Sequence, residues 1–137
     1  IENFIKVAKY YEKKLYNLVF FLGPQEIKIK NLIKENFPEA IFPEELIKEF
    51  SSIEVVMAST KFLSCALSND SGVSHMLSTN HCPLVKLFGP KDSEKFTPLN
   101  NKNIKVIKSR IFGSKNINAI KPNYVIEKIN DTIANVK

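Results

Sequence analysis

Residues 67–90, with the sequence LSNDSGVSHMLSTNHCPLVKLFGP, limit the fold more than any other part of the chain. They read as an apolar strand, a polar turn at 69–72, a helical segment and a second apolar strand at 84–88. Two strands joined by one helix form a βαβ unit, whose strands are parallel and whose crossover is right-handed. The stretch therefore predicts an α/β protein with a parallel sheet.

The turn at 69–72 carries groups that suit a ligand, because open α/β sheets bind ligands at the carboxyl ends of their strands. The first N–H groups of the following helix lack intrahelical acceptors and attract anions such as a diphosphate. Gly72 lets a ligand approach the backbone, whereas Asp70 accepts hydrogen bonds from sugar hydroxyls but repels a phosphate. A phosphorylated or nucleotide-linked sugar meets both conditions. Helix capping by Asp70 and Ser71 is the alternative, and it is the commoner use of such residues.

A longer pattern around this turn resembles the carboxyl-terminal domain of glycosyltransferase family 9, the lipopolysaccharide heptosyltransferases. Asp70, Ser71 and Gly72, with His75 three residues later, resemble the family's D-[ST]-G-x-x-H motif. Residues 83–90, PLVKLFGP, resemble the P-x-V-x-L-F-G-P strand and turn that follow this motif in the family. The order and the spacing of the two blocks both match.

A weaker match lies upstream, where the apolar run 18–22 and the turn 23–26, GPQE, resemble a family strand and its glycine-rich turn ending in an acidic residue. The resemblance covers most of the chain. Three departures bear on the identity of the sugar. Residues 76–78, Met-Leu-Ser, stand where small, alanine-rich residues are more usual in the family. Residues 80–82, Asn-His-Cys, stand where the family has a glycine-containing turn, and Lys86 stands where an apolar residue is usual.

The resemblance implies a Rossmann-like, doubly wound parallel sheet, as in the C-terminal half of a GT-B glycosyltransferase. Enzymes of this family have two such domains, with the active site in the cleft between them. A chain of 137 residues can form one compact domain. We therefore expect residues 1–137 to be a single donor-binding domain, with the N-terminal acceptor domain absent from this chain.

The resemblance also implies roles for individual residues. Asp70 would bind the sugar hydroxyls of an ADP-sugar, and Ser71 and Gly72 would hold phosphate oxygens. His75 would lie one helical turn along and assist at the sugar or the phosphate. Without the motif, His75 would be read as an ordinary packing or surface histidine.

The upstream turn would bind the nucleoside. Glu26 would accept hydrogen bonds from ribose hydroxyls, and Gly23 and Gln25 belong to the same donor-binding turn. An equally good reading of Glu26 is a first-turn glutamate that complements the helix dipole. Lys86 and Lys91 are weaker phosphate candidates, since each is more typical of a surface lysine.

By the same resemblance, the complete enzyme transfers a heptose-like sugar, with inversion, from an ADP-sugar to the lipopolysaccharide core. The catalytic base would belong to the missing domain, so we expect no catalytic residue in this chain and no activity from it alone. We expect no cofactor and no metal ion, because backbone N–H groups would stabilise the leaving diphosphate. The implied location is the cytoplasm, with peripheral association at the cytoplasmic face of the inner membrane through the acceptor.

Other functions remain as alternatives. A non-catalytic nucleotide or sugar-phosphate binding module fits the same turn, and a hydrolase using Ser74 and His75 is a third reading, although adjacent helical residues rarely face each other. The formal charge of +6 comes from scattered lysines without a basic, aromatic-interleaved motif, so we predict no nucleic-acid partner. Cys65 and Cys82 lack metal-ligand spacing and predict two buried free thiols.

Hydrophobic periodicity predicts the remaining elements. The chain opens with a helix whose apolar face comprises Phe4, Val7, Ala8, Tyr11 and Leu15. Further helical segments are predicted at 26–36, 44–50, 53–61, 72–79 and 122–135, and strands at 18–22, 40–42, 62–68, 84–88 and 104–107. Ser51 and Glu54 form a capping-box pair, and 109–121 reads as a surface connection. The turns at 23–26, 42–45, 70–72 and 89–92 would line one crevice at the sheet edge.

Overall fold

The computed structural model describes residues 1–90 and 102–136, which fall into two compact units, Ile1–Val56 and Met57–Lys137. Each unit has its own apolar core. The expectation of one donor-binding domain over 1–137 stays a prediction. Within the described ranges, no helix is both long enough and apolar enough to span a bilayer.

The first unit opens with helix α1, Glu2–Lys13, which buries Val7, Ala8 and Tyr11. The helix ends earlier than its apolar spacing predicted. Leu15 follows it with a φ of 64° and 92% exposure, so its assignment to the buried face is wrong. The reason is a left-handed helix end, in which the N–H of Tyr16 donates back to the carbonyl of Tyr11 at 3.1 Å.

Helices α2, Ile27–Asn36, and α3, Pro43–Leu46, follow in this unit. Its buried core comprises Ala8, Ile33, Phe37 and Phe42. The strands predicted at 18–22 and 40–42 are wrong in extent, because the structure has one isolated parallel bridge between Val19 and Ile41. Pro43 begins α3 directly after the second segment, which leaves too few residues for a longer ladder.

Helix α4, Ser52–Ser59, begins with the predicted capping box. The N–H of Glu54 donates to Ser51 Oγ at 3.3 Å, and the N–H of Ser51 donates to Glu54 Oε2 at 2.8 Å. A 3₁₀ turn, Thr60–Phe62, follows, so the strand predicted from residue 62 starts only at residue 66. The hydroxyl of Thr60 donates to the carbonyl of Met57 at 2.6 Å and prolongs the helical path.

The second unit contains a three-stranded parallel sheet in the order β1-β2-β3, formed by Ala66–Asn69, Leu84–Phe88 and Ile104–Lys108. Strand β2 lies in the middle and is buried along its whole length. Helix α5, Gly72–Leu77, packs on β1, and helix α6, Pro122–Val136, packs on β2 and β3. The predicted α/β class with a parallel, Rossmann-like sheet is confirmed.

The connection from β3 to α6 contains two 3₁₀ turns, Ser109–Phe112 and Ile117–Ala119, which explains its lack of helical periodicity. This connection lies close to Gly89, the residue that follows β2. A Cβ placed on Gly89 would lie 3.3 Å from the carbonyl oxygen of Lys115 and 3.6 Å from the Cβ of Ile117. The close approach of these two backbones therefore favours a glycine at this position.

The loop from α5 to β2 contains the Asn-His-Cys departure from the family pattern. His81 has a φ of 57°, which is the conformation that a glycine adopts most easily and that histidine adopts more often than most residues. The side-chain amide of Asn80 donates to the carbonyl of Met57 at 3.0 Å and to Thr60 Oγ1 at 3.1 Å. The turn thus keeps a left-handed residue without glycine and is held by side-chain hydrogen bonds.

Both cysteines are free thiols, as predicted, although Cys65 is only half-buried. Burial raises the pKa of Cys65 from 9.0 to about 12 and that of Cys82 from 9.0 to about 11. At pH 8 these shifts lower the thiolate fractions about 1,000-fold and about 100-fold. We therefore expect iodoacetamide to label the folded chain at least about 100-fold more slowly than the chain unfolded in urea, as measured by mass spectrometry.

Equal labelling rates in buffer and in urea would contradict this expectation. The same shifts fix the sign of the pH dependence. Below pH 9 both states keep neutral thiols and this contribution to stability is fully present; above pH 9 only the unfolded thiols ionise, so stability falls as the pH rises toward the folded pKa values.

Candidate functional site

The candidate site begins where β1 ends. The N–H of Asp70 donates to the carbonyl of Leu87 at 3.2 Å, which continues the β1–β2 pairing by one residue. The Asp70 carboxylate is thereby fixed at the carboxyl end of the sheet, and its side chain is 9% exposed. This is the edge at which a parallel sheet presents its ligand-binding turns.

Ser71, and not Asp70, caps α5. Ser71 Oγ accepts from the N–H of Ser74 at 3.4 Å, and Ser74 Oγ accepts from the N–H of Ser71 at 3.2 Å. The capping alternative is therefore present at Ser71. A hydroxyl that accepts a hydrogen bond still has its own hydrogen to donate, so the cap and a phosphate contact are compatible.

Ser74 cannot serve as the nucleophile that the hydrolase interpretation requires. Ser74 is fully buried, and its hydroxyl donates to the carbonyl of Ser71 at 2.7 Å. A serine whose hydroxyl is inaccessible and engaged with the backbone cannot attack an ester. The capping role accounts for Ser74 completely.

Gly72 is the first residue of α5, and the fold does not require a glycine there. A Cβ placed on Gly72 would have no described atom within 4 Å, and its φ is not positive. The N–H groups of Gly72 and Val73 have no acceptor among the described residues. The open position and the two donors together form a surface against which an oxyanion fits.

Lys86 lies beside Asp70, and its reading as a surface lysine is wrong. Its side chain is 1% exposed, and Nζ lies 3.5 Å from Asp70 Oδ1 and 5.3 Å from the centre of the Phe88 ring. The register pairs Lys86 with Ser68, two residues before Asp70. Side chains two residues apart on a strand share a face, so Lys86 and Asp70 extend toward the same end of the same face.

The burial of Lys86 had a sequence signal, since it interrupts the apolar run Leu84, Val85, Leu87 and Phe88. Such a run is typical of a strand covered on both faces. A charged residue within it needs a buried partner, and Asp70 is the acidic residue that the turn after β1 supplies.

His75 is the last residue of the predicted motif. It lies on α5 with its side chain 54% exposed, and its Nε2 is 3.9 Å from Asp70 Oδ1. The second unit thus brings Asp70, Ser71, Gly72 and His75 together, as the motif predicted. The roles assigned to them stay predictions.

The upstream turn lies in the first unit. Glu26 Oε2 accepts from the N–H of Gly23 at 2.7 Å, and the N–H of Glu26 donates to the Gly23 carbonyl at 3.1 Å. The carboxylate makes no capping bond to α2, so it closes the turn instead of satisfying the helix end. Glu26 and Gln25 are exposed, and Oε1 of Glu26 is not used in the bond to Gly23.

A charged cluster follows in the same unit. Lys30 and Lys34 each lie 3.0 Å from a different carboxylate oxygen of Glu45, and both ammonium groups lie over the ring of Phe42, at 6.0 and 5.3 Å. Hydrogen bonds from Lys30 and then Lys34 hold the pKa of Glu45 below its usual range. The cluster joins α2 to α3.

Two expectations lie outside the described residues, namely Lys91 and most of the turn at 89–92. In the ranges 1–90 and 102–136, no group of three His, Cys, Asp or Glu side chains could hold a metal ion. The absence of a metal requirement stays a prediction.

The comparisons with known proteins agree with the fold. The family model described as glycosyltransferase family 9 (heptosyltransferase) matches residues 1–123. The sequence has no significant match among curated proteins. Solved structures that share the fold include the two that follow.

One of these structures is a glycosyl transferase family 9 protein from Veillonella parvula, with 21% identity and a TM-score of 0.75 over 98% of this chain. The other is the ADP-heptose LPS heptosyltransferase II of E. coli, with 22% identity and a TM-score of 0.76 over 97% of this chain. This chain spans 41% of the length of each.

Proposed function

The chain belongs to glycosyltransferase family 9, and we propose that it is the C-terminal, donor-binding domain of an inverting GT-B glycosyltransferase. The donor would be an ADP-linked, heptose-like sugar. The observation that carries the proposal is the Asp70 carboxylate, held at the carboxyl end of β1 next to the N–H donors that open α5. These groups match the two halves of a nucleotide-sugar.

The sugar half would bind at the carboxylate. Asp70 accepts hydrogen bonds from sugar hydroxyls, and His75, within 3.9 Å of Asp70 and half exposed, contacts the sugar or the phosphate. Hydrogen bonds to a charged acceptor are stronger than those to a neutral one, which favours a carboxylate at a hydroxyl-rich ligand.

The diphosphate half would bind at the start of α5. The N–H groups of Gly72 and Val73 and the hydroxyl of Ser71 donate to phosphate oxygens. During transfer, the acceptor hydroxyl oxygen forms a bond to the anomeric carbon while the bond from that carbon to the diphosphate oxygen breaks. Negative charge grows on the leaving diphosphate, so fixed donors there stabilise the transition state more than the ground state.

The nucleoside would be held by the turn of the first unit. Glu26 binds ribose hydroxyls through Oε1, since its other oxygen closes the turn on Gly23, and Gln25 completes this turn. The base that deprotonates the acceptor belongs to a further, N-terminal domain of the enzyme, and this chain alone binds donor without transferring sugar. No metal ion takes part in the proposed binding.

The E. coli neighbour supports the choice of substrates, because that protein is an ADP-heptose LPS heptosyltransferase. We propose the lipopolysaccharide core as the acceptor and the cytoplasmic face of the inner membrane as the place of reaction. The identity of the donor can be tested by titrating ADP-, UDP- and GDP-linked sugars into the chain and measuring their affinities by NMR. Tighter binding of the ADP-linked sugars is expected, and indifference to the nucleotide and to the sugar would refute the proposal.

Gly72→Ala separates ligand binding from folding. The fold has room for the added methyl group, so the free energy of unfolding in urea should stay the same or rise by up to about 1 kcal/mol. The methyl group would lie where the diphosphate approaches the backbone. We therefore expect the affinity for ADP-glucose to fall at least about tenfold, the equivalent of one charge-assisted hydrogen bond.

Ser52→Ala is the matched control for this variant. Ser52 also follows a capping-box serine as the first residue of a helix, and it is exposed. It should gain helix propensity without losing affinity. A Gly72→Ala chain that binds ADP-glucose as well as the wild type would remove the α5 backbone from the proposed site.

A further inference from the structure

Lys86 occupies the most enclosed part of the sheet. It stands in the middle of β2, between Val85 and Leu87, in a strand that is buried at every position. Burial of an ammonium group is costly unless a buried acceptor or counter-ion faces it. The presence of a lysine at this position therefore calls for a specific role.

The inner oxygen of Asp70 faces this ammonium group. Asp70 Oδ1 is itself buried, and it lies 3.5 Å from Lys86 Nζ. The Phe88 ring, 5.3 Å from Nζ, covers the cation on another side, and His75 is the further titratable group near the carboxylate. The pair is therefore inside the protein, directly beneath the turn that opens α5.

The proposed function leaves an electrostatic conflict at this turn. A carboxylate suits sugar hydroxyls, but its negative charge opposes a diphosphate bound at the neighbouring N–H groups of Gly72 and Val73. A single buried cation next to the carboxylate removes this opposition. Surface lysines would do so less well, because water and salt screen exposed charges.

We propose that Lys86 is a positioning residue of the donor site, which fixes the inner oxygen of Asp70 and cancels its repulsion of the diphosphate. The same turn can then hold the sugar and the diphosphate of one donor. This inference rests on the proposed function and extends it to a residue at a position that the family motif leaves unspecified. Lys86 acts through Asp70 and does not touch the ligand.

The test uses Lys86→Met, Asp70→Asn and the double variant, with adenosine and ADP as ligands in NMR titrations. Lys86→Met should bind ADP at least about tenfold more weakly and adenosine with unchanged affinity, since only ADP carries the opposed charge. Asp70→Asn should bind ADP more tightly than the wild type, because it keeps the cation and loses the anion. The double variant should bind ADP within about threefold of the wild type.

Lys61→Met, at an exposed position, controls for the loss of one positive charge from the whole chain. If Lys86 only supports packing, Lys86→Met will lower the affinities for adenosine and ADP equally, and the double variant will not regain affinity for ADP. Either result overturns the inference. If Lys86→Met fails to fold, Asp70→Asn still tests the claim, since it should raise the affinity for ADP instead of lowering it. Absence of ADP binding by the wild type would overturn both proposals, whereas wild-type binding with unchanged affinity in Lys86→Met overturns this one alone.

Discussion

Asp70→Ala is expected to abolish the chain's preference for a sugar-linked nucleotide over the free nucleotide. The carboxylate is the proposed acceptor for the sugar hydroxyls, and hydrogen bonds to charged groups contribute about 1.5–3 kcal/mol. The affinity for ADP-heptose, divided by that for ADP, should fall about 10- to 150-fold. Using this ratio removes any effect of Asp70 on the diphosphate itself. Parallel calorimetric titrations with the two ligands give the measurement.

The substitution also takes a partner from buried Lys86, so its effect on folding has to be measured separately. Breaking a buried ion pair from one side typically costs about 3–5 kcal/mol, which a urea unfolding curve would show. Asp131→Ala is the matched control, since Asp131 is an exposed aspartate on α6 and its loss changes the net charge equally. An Asp70→Ala chain that remains folded and keeps the ratio would refute the role of Asp70 in sugar recognition.

Phe37→Ala should cause the largest loss of stability in the first unit. Phe37 is 1% exposed, and its ring stacks on Phe20 with 6.0 Å between the ring centres. Truncation of a fully buried phenylalanine costs about 3–5 kcal/mol, because transfer free energy is lost and a cavity remains. Urea unfolding followed by circular dichroism should show a correspondingly lower midpoint. Phe37→Leu should cost less, under about 2 kcal/mol, because it keeps most of the volume.

Phe62→Ala is the control for this prediction, because Phe62 is 87% exposed. Its replacement should change the free energy of unfolding by no more than about 0.5 kcal/mol. Similar losses from Phe37→Ala and Phe62→Ala would mean that burial does not determine the contribution of these side chains.

The central βαβ unit could be predicted from sequence because its signals are local. The apolar runs, the turn and the cap residues of β1, α5 and β2 lie within 24 consecutive residues, and the capping pair Ser51 and Glu54 lies three residues apart. Patterns at such short spacing determine which backbone groups find partners. The family motif was readable for the same reason.

The pairing of Lys86 with Asp70 could not be predicted in the same way. The two residues are 16 positions apart, and only the parallel register of β1 and β2 brings their side chains to one place. Lysine in isolation is typical of an exposed surface. The apolar residues around it indicated burial, but its partner depended on topology.

In the first unit, the sequence predicted more regular strand pairing than the structure has. The apolar run 18–22 has the composition of a buried strand, yet strand formation also depends on the partner segment. Ile41 is followed within two residues by Pro43, which begins α3. The side chains of residues 18–22 are only half-buried, with Leu18, Phe20 and Leu22 packed against the core of this unit, and regular pairing is not formed.

The isolated bridge between Val19 and Ile41 determines how well the backbone amides of the first unit are protected from hydrogen exchange. Between Val19 and Ile41, two amide protons, those of Phe20 and Ile41, are shielded by strand pairing, through bonds of 2.9 and 2.8 Å. The cohesion of this half therefore depends on its helices and on aromatic contacts more than on a backbone ladder. Amide hydrogen exchange in this unit therefore reports local opening of the core around Phe37 and Phe42, whereas in the second unit it reports opening of a continuous sheet.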